Sequence, residues 1–460
     1  MKKLLFSLML LWWCGVCHAT VYHVCAGACD YHTTTEVNAA TFTLDDVIYF
    51  KDETFAAPAL IPKDSGMVGH EIIYASDPTN ADYPIIVGGV KPNTKYGLKF
   101  IGLKTEAVDV ADNSTWSFHS CHDITVVRPF IDCKNVLGNL GIQAFKSDGT
   151  GPSPYNIEIS YGTIQNCGVA SASQNGGGIN FASGTHDTWT HHMFILDGFE
   201  TGWQAYDNTH LSDAVVNNWI TDSYVVNTLS GNGARNGINC GNNNINCRAE
   251  RNFVSGYAAC LEEDGYNSSS ANSATFINNI ATDCQSLILV AHDAQNLTAL
   301  HNTLVAKSGG LWTTFYGVLY QGGGTIPMLG HVFKNNIVKM EYSASSYKLM
   351  EIGTGANIGL DSDYNQYFRG GAAITFQNGA TLYTSLANWH NATGYEEHSK
   401  VGDPNLDPNY YPYPGSPAIG AGTPLSQVLD DYYGKVRSST PTIGAREYST
   451  GITYNGVTIR

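Results

Sequence analysis

The sequence predicts an all-β chain wound as a parallel β-solenoid, and three observations predict it. First, a short β run, one or two asparagines and two or three apolar residues recur through the middle of the chain, as in VVNNWITDS, AERNFVSG, TFINNIATDC, TALHNTLVAK, VFKNNIVKM and SDYNQYF. The marked residues Asn218, Asn252, Asn279, Asn302, Asn336 and Asn365 are separated by 34, 27, 23, 34 and 29 positions. Second, a glycine-led strand precedes most copies: GIQAF at Gly141, GINFA at Gly178, GWQAY at Gly202, GINCG at Gly237 and GVLYQ at Gly317. Third, no copy holds a helical period, and Asn, Gly, Ser and Thr fill the joints where left-handed turns are needed. A unit of short strands cannot bury its apolar face alone, so such units stack. Stacking sets equivalent residues ~4.8 Å apart, and a column of asparagines can then satisfy its own buried amides along the axis.

The elements follow in chain order. MKKLLFSLMLLWWCGVCHA joins Lys2 and Lys3 to an apolar run and a small residue at Ala19, the pattern of a secretory signal peptide over 1–19. Of the 24 basic residues, 22 then remain against 40 acidic ones, a charge of −18. Residues 20–95 read as an N-terminal cap with the first rungs, 96–370 as the body of the solenoid, and 371–460 as the last rungs with a closing segment. Such an acidic chain lacks the basic footprint of nucleic-acid binders. No later stretch approaches the ~18 apolar residues of a membrane span. A soluble, exported monomer is expected.

Nine cysteines follow the signal, an odd number, in a chain bound for a compartment where disulfides persist. Cys25 and Cys29 are close enough for a local bridge. The others are irregularly spaced, without the paired motifs of zinc sites, and buried thiols or disulfides are both open for them.

The opening TFTLDDVIYFKDETF and SGMVGHEIIYASDPTNADYPIIVGG, the repeats, and the closing GDPNLDP…SPAIGAG…DYYGKVR…PTIGARE together resemble the right-handed parallel β-helix proteins of the pectate-lyase-like group. The resemblance implies a right-handed parallel β-helix over nearly the whole chain after the signal. That group holds lyases, hydrolases, epimerases and proteins without catalysis, so the reaction must be argued from a site. In the closing segment, Arg437 between Asp430 and Glu447 reads as a tie of the cap to the rung below.

Candidate chemistry lies on the central rungs. Aligning the glycine-led strands brings Asp207, Asn242, Glu263 or Asp264, and His292 to nearby turns, with His210, Arg235, Arg248 and Arg251 close in sequence. Trp189, Trp203 and Trp312 are candidate sugar-stacking faces. In CLEEDGYN three acids precede a glycine, and Glu263, Asp264, Gly265 and Asn267 resemble a degraded form of the Asp-Asp-Gly-x-Asp calcium motif of a pectate lyase family. Glu262, Glu263, Asp264 and Asn267 are therefore the expected ligands of a Ca²⁺ ion, a hard cation that gathers carboxylate oxygens. Such an ion would also bridge an acidic protein to an acidic sugar.

β-Elimination of a uronic-acid polymer needs a base for the proton beside the carboxylate and a group that neutralises the carboxylate. No lysine occurs between Ser147 and Ala306. The candidate bases are then His292, Lys307, Arg235 and Arg251, of which imidazole titrates nearest neutrality. Asp207, His210, Arg248, Trp189 and Trp203 are the candidate substrate contacts. The sequence thus leads to Ca²⁺-assisted β-elimination of an anionic polysaccharide. A non-catalytic glycan-binding or structural β-helix, and a hydrolase using paired carboxylates, are the alternatives.

Overall fold

The structure, a computed structural model, describes residues 19–449 apart from 109–113, 137, 147–150, 169–175, 208–213, 230–234, 266–271, 293, 308–311, 313–314, 323–326, 342–346 and 354–357. The backbone of two short strands, Ile452–Tyr454 and Val457–Ile459, is described as well. The chain is a right-handed parallel β-helix whose rungs each give one strand to each of three sheets. Among the described residues these sheets hold 14, 13 and 11 strands. In one central rung, Gly177–Ala182 lies in the third sheet, His186–His191 in the first and Phe194–Gly198 in the second, and Thr201–Tyr206 returns to the third. Two short helices, Thr34–Ala39 and Leu386–Thr393, lie outside the repeats.

The turn from first to second sheet explains the asparagine pattern. It takes two residues, the first left-handed, as at Arg251, Asn278, His301, Asn335 and Tyr364, with φ of 54°, 56°, 53°, 59° and 58°. The second is the buried asparagine. Asn252 Nδ2 donates to Asn279 Oδ1 at 3.1 Å, Asn279 to Asn302 at 3.0 Å, Asn302 to Asn336 at 3.0 Å and Asn336 to Asn365 at 3.3 Å. Each acceptor also takes the backbone N–H of the asparagine before it, at 2.8–3.0 Å. The second amide proton goes to a first-sheet carbonyl, such as Phe276 for Asn302 at 2.8 Å. The column therefore closes the hydrogen-bond demand of turns that water does not reach.

Asn218 is not in this column. It lies inside the first-sheet strand Val215–Thr221 and bonds Thr188 Oγ1 at 2.7 Å, while Ser223 takes the column position and receives Asn252's acceptor oxygen on its N–H at 3.0 Å. The doubled NN of VVNNWITDS imitates the motif five residues too early. Upstream, Met193, Gly162 and Pro129 continue the position without a polar side chain.

The leading glycines are needed for packing between sheets. A Cβ on Gly202 would lie 2.1 Å from Val225 Cγ1, and one on Gly237 2.3 Å from Val254 Cγ1. The interior between the sheets is a continuous apolar column that includes Trp116, Phe181, Trp203, Leu261, Ile288 and Val318. Disulfides join Cys25 to Cys29, Cys133 to Cys167, Cys240 to Cys247 and Cys260 to Cys284, and among the described residues Cys121 is the buried free thiol.

The closing segment folds back on the outside of the later rungs. Arg437 is its anchor, donating to Asn278 Oδ1 at 2.6 Å, the Asp430 carbonyl at 2.9 Å and Glu447 Oε2 at 3.3 Å. Val428 and Tyr432 add apolar contacts to Leu300 and Val305. No described helix is long and apolar enough to cross a membrane.

Asn302→Ala is expected to cost about 2–4 kcal/mol, because it deletes two donated bonds and strands both the N–H and the amide of Asn279. Urea titration checks this, and a loss below about 0.5 kcal/mol would contradict the structural reading of the column.

Candidate functional site

The outward face of the third sheet carries a groove of about 930 Å³. Its floor is one column in strict register: Gln143, Asn180, Gln204, Asn239, Glu262, Leu289 and Leu319. The strand holding Glu262, Ala259–Asp264, also presents Asp264 to the groove, two residues further along. Glu200 and Arg235 line it where these strands begin, and Tyr206, in register with Asp264, lines it where they end. Arg235 is 70% exposed and pairs with Glu200 at 3.1 Å.

Strand alternation decides what CLEED can do. Glu262 and Asp264 face the groove, whereas Glu263 faces the interior in register with Cys240, Val290 and, one strand on, Tyr320. Neither carboxyl oxygen of Glu263 has a hydrogen-bond partner, and the Tyr320 hydroxyl and His331 Nε2 are likewise unpartnered in the interior. Burial, with the charge of Asp264 adding to it, holds the Glu263 carboxyl far above its ordinary range, so it is a neutral acid.

Glu262 is shifted the same way. Burial and then the negative charge of Asp264 push its pKa up to about 8, with Arg235 and Asn236 opposing. At neutral pH the groove thus holds a carboxylic acid, kept protonated first by its burial, and on the same strand face a carboxylate whose charge adds to that effect. Asp264 Oδ1 bonds His292 Nδ1 at 2.7 Å from the turn of the next rung. Tyr206 is raised first by burial and then by Asp264, Glu262 and Asp207, and it stays a phenol. Its ring occupies the space beside Gly241, where a Cβ would lie 2.4 Å from Tyr206 Cδ2.

The sequence-derived candidates divide. Arg235, Glu262 and Asp264 line the groove. His292 joins them through Asp264, and Asp207 stands at the turn equivalent to that of His292 three rungs earlier, one residue beyond Tyr206 and buried. The others lie elsewhere. Trp203 is fully buried, its Nε1 donating to Thr190 Oγ1 at 3.1 Å, because the inward position of its strand follows the leading glycine directly. Trp312 packs against the same core. Lys307 follows a second-sheet strand, and its Nζ bonds the Tyr410 hydroxyl of the closing segment at 2.5 Å, so it is a structural contact. Trp189 and Arg248 stand on the outer face of the first sheet, and Arg251 at its edge is tied to Asp222 at 2.7 Å and Glu250 at 2.5 Å. His210 and Asn267 lie outside the described residues.

The calcium set Glu262, Glu263, Asp264 and Asn267 does not fit one ion, since Glu263 points to the opposite side of the strand from Glu262 and Asp264. Among the described residues no group of three or more His, Cys, Asp or Glu is arranged to hold a metal.

Sequence reasoning missed Tyr206, Glu200 and the amide column. The column was visible in the repeats themselves: the second residue after the leading glycine is Gln143 in GIQAF, Asn180 in GINFA, Gln204 in GWQAY and Asn239 in GINCG. A polar residue held at one position between inward apolar ones marks an outward floor.

Neutral Glu263 makes a pH prediction. A folded carboxyl raised above 4.5 keeps a proton that the unfolded chain releases, so its contribution is fully present below pH ~4.5 and is lost as pH rises towards the folded value. Glu263→Gln is expected to remove up to ~1.4 kcal/mol per pH unit from the fall in stability between pH 5 and 7, leaving the similar share of Glu262. Parallel pH-dependent denaturation curves for the two proteins would contradict the buried acid.

No protein-family model matches the chain, and no curated protein sequence matches it. Among solved structures it is similar to XylC, solved in complex with xylose, at 10% identity over 93% of this chain and 98% of that one, with a TM-score of 0.50. It is similar also to pectate lyase Pel9A, at 14% identity over 95% and 98% with a TM-score of 0.41. An alginate lyase from Paenibacillus sp. str. FPU-7 matches at 13% identity over 78% and 99%, with a TM-score of 0.37. At these identities the likeness is one of fold, and the chain has the pectate-lyase-like parallel β-helix fold.

Proposed function

We infer that the protein is a secreted enzyme that cleaves a uronate-containing polysaccharide laid along the third-sheet groove, by β-elimination. One observation carries the reading: Glu262 and Asp264 share one strand face, with the proton on Glu262 and His292 bonded to Asp264. The apolar leader over residues 4–13 and four disulfides support export. The proteins of similar fold include ones named for cleavage of pectate and alginate, both uronate polymers.

In this reading Arg235, at the opposite end of the strands from Asp264, takes the carboxylate of a neighbouring sugar in exchange for Glu200, and the amides of Gln204 and Asn239 hold hydroxyls along the floor. The Asp264–His292 pair accepts the proton beside the carboxylate of the scissile sugar. Its electron pair forms the C4–C5 double bond, the C4–O bond breaks, and the leaving oxygen takes the proton of Glu262. An acid titrating near 8 and a base beside it divide the two transfers, which suits work at neutral pH.

Hydrolysis is the second reading, favoured by two carboxyls set two residues apart on one strand face. There Glu262 would protonate the glycosidic oxygen and Asp264 would serve water or the sugar carbon.

Incubation with pectate, alginate and glycosaminoglycans is expected to give rising ultraviolet absorbance from unsaturated uronate ends. Glu262→Gln should lower the rate at least 100-fold, and the wild-type rate should fall above pH ~8 as Glu262 loses its proton. New reducing ends without absorbance would replace elimination by hydrolysis. Neither signal on any of the polymers would overturn catalysis and leave a glycan-binding or structural β-helix.

A further inference from the structure

A second surface, on the outer face of the first sheet, is built for a ligand unlike that of the groove. Glu158, Trp189, Trp219 and Arg248 are register neighbours on four consecutive rungs. The two indoles are 44% and 39% exposed, large values for a residue type that is highly buried on average. The closing segment covers this face only further along, where Leu425 and Val428 pack on Ile277 and Leu300. On this face it approaches Arg251, 3.9 Å from Asp430 and one rung from Trp219, while Tyr432 hydrogen-bonds Tyr224 on the second sheet of Trp219's own rung.

Both rings are held in place. Trp189 Nε1 donates to Thr221 Oγ1 at 3.1 Å, and His191 stacks on the same indole with centroids 4.0 Å apart. The Arg248 guanidinium lies 6.0 Å from the Trp219 ring, fixed by two bonds to Glu250 at 2.5 and 2.7 Å. Pre-set aromatic faces with polar groups at their edges bind pyranose rings at little ordering cost. Consecutive rungs are ~4.8 Å apart, close to the length of one sugar unit in an extended chain.

Charge selects the ligand. Arg248 is paired with Glu250, Arg251 with Asp222 and Glu250, and Glu158 with His191 at 3.1 Å. The cations here are thus engaged by the protein's own carboxylates, which would repel an anionic chain. We propose that Trp189 and Trp219 form a second glycan-binding platform, specific for a neutral, extended β-linked polysaccharide and separate from the groove on the third sheet. A neutral matrix polymer held there would keep the enzyme beside an acidic one entering the groove.

Isothermal titration of the full mature protein with xylohexaose and cellohexaose tests this. Saturable binding of at least one is expected, weakened roughly tenfold by Trp189→Ala or Trp219→Ala and lost in the double variant. Trp219→Phe should keep most of the affinity, and Glu262→Gln should bind as the wild type does. The double variant should retain any turnover of acidic polymer shown by the wild type. Absence of saturable binding by both sugars would overturn the platform. So would loss of binding in Glu262→Gln with retention in the double tryptophan variant, which would place the sugar in the groove. A change of oligomeric state on sedimentation of the double variant would also overturn it, assigning the face to a second copy of the chain.

Discussion

The structure depends on one requirement, that the tight turn between first and second sheets bury its polar backbone without water. The asparagine column meets it from Asn252 to Asn365, each side chain serving the rung on both sides. At its end the column is received by Ser399 and Glu396 rather than by another asparagine: Ser399 Oγ accepts the Asn365 N–H at 2.7 Å and Glu396 Oε2 its amide at 3.0 Å. These bonds fix the register from Asn252 onward, and with it which residue faces out on the third-sheet strands of Glu262, Leu289 and Leu319; the earlier part of the groove floor, Gln143 to Asn239, lies on rungs whose turns carry Pro129, Gly162, Met193 and Ser223 instead.

That constraint also explains the charge pattern. Three consecutive acids on a turn would repel one another in solvent, but on a strand they divide between two environments. Glu263 goes inward and is neutral. Glu262 is buried at the groove floor beside Asp264, and burial first, then the repulsion between the two, raises its proton affinity. The chain thereby holds an acid in the groove without a lysine, and the acidic net charge is locally relieved by protonation and by Arg235.

Much of the fold was legible because it rests on periodicities. The asparagine spacing, the leading glycines and the absence of helical stretches each report a backbone demand that few residues meet. Where the reading failed, the cause was local ambiguity. Asn218 has the right neighbours but lies on a strand, and Trp203 follows its glycine at the inward position. The site was only partly legible: Asp264, His292 and Arg235 belong to the groove, but Glu263 does not, because alternation about Leu261 had not been applied to the acids. Lys307, Arg248 and Arg251 were nominated by residue type, and their partners, Tyr410, Glu250 and Asp222, become neighbours only through the winding of the chain. Tyr206 gives no sequence signal beyond its place at the end of a glycine-led strand.

The central claim, that an acidic polysaccharide runs along the third sheet with its scissile bond over Glu262, is tested most directly by a crystal structure of the Glu262→Gln protein with a uronate hexasaccharide. The account predicts sugar rings along the column from Gln143 to Leu319, with one carboxylate on Arg235 and a glycosidic oxygen within hydrogen-bonding distance of the residue at position 262. A saccharide bound to another sheet, or lying in the groove with no glycosidic oxygen near that position, would contradict it.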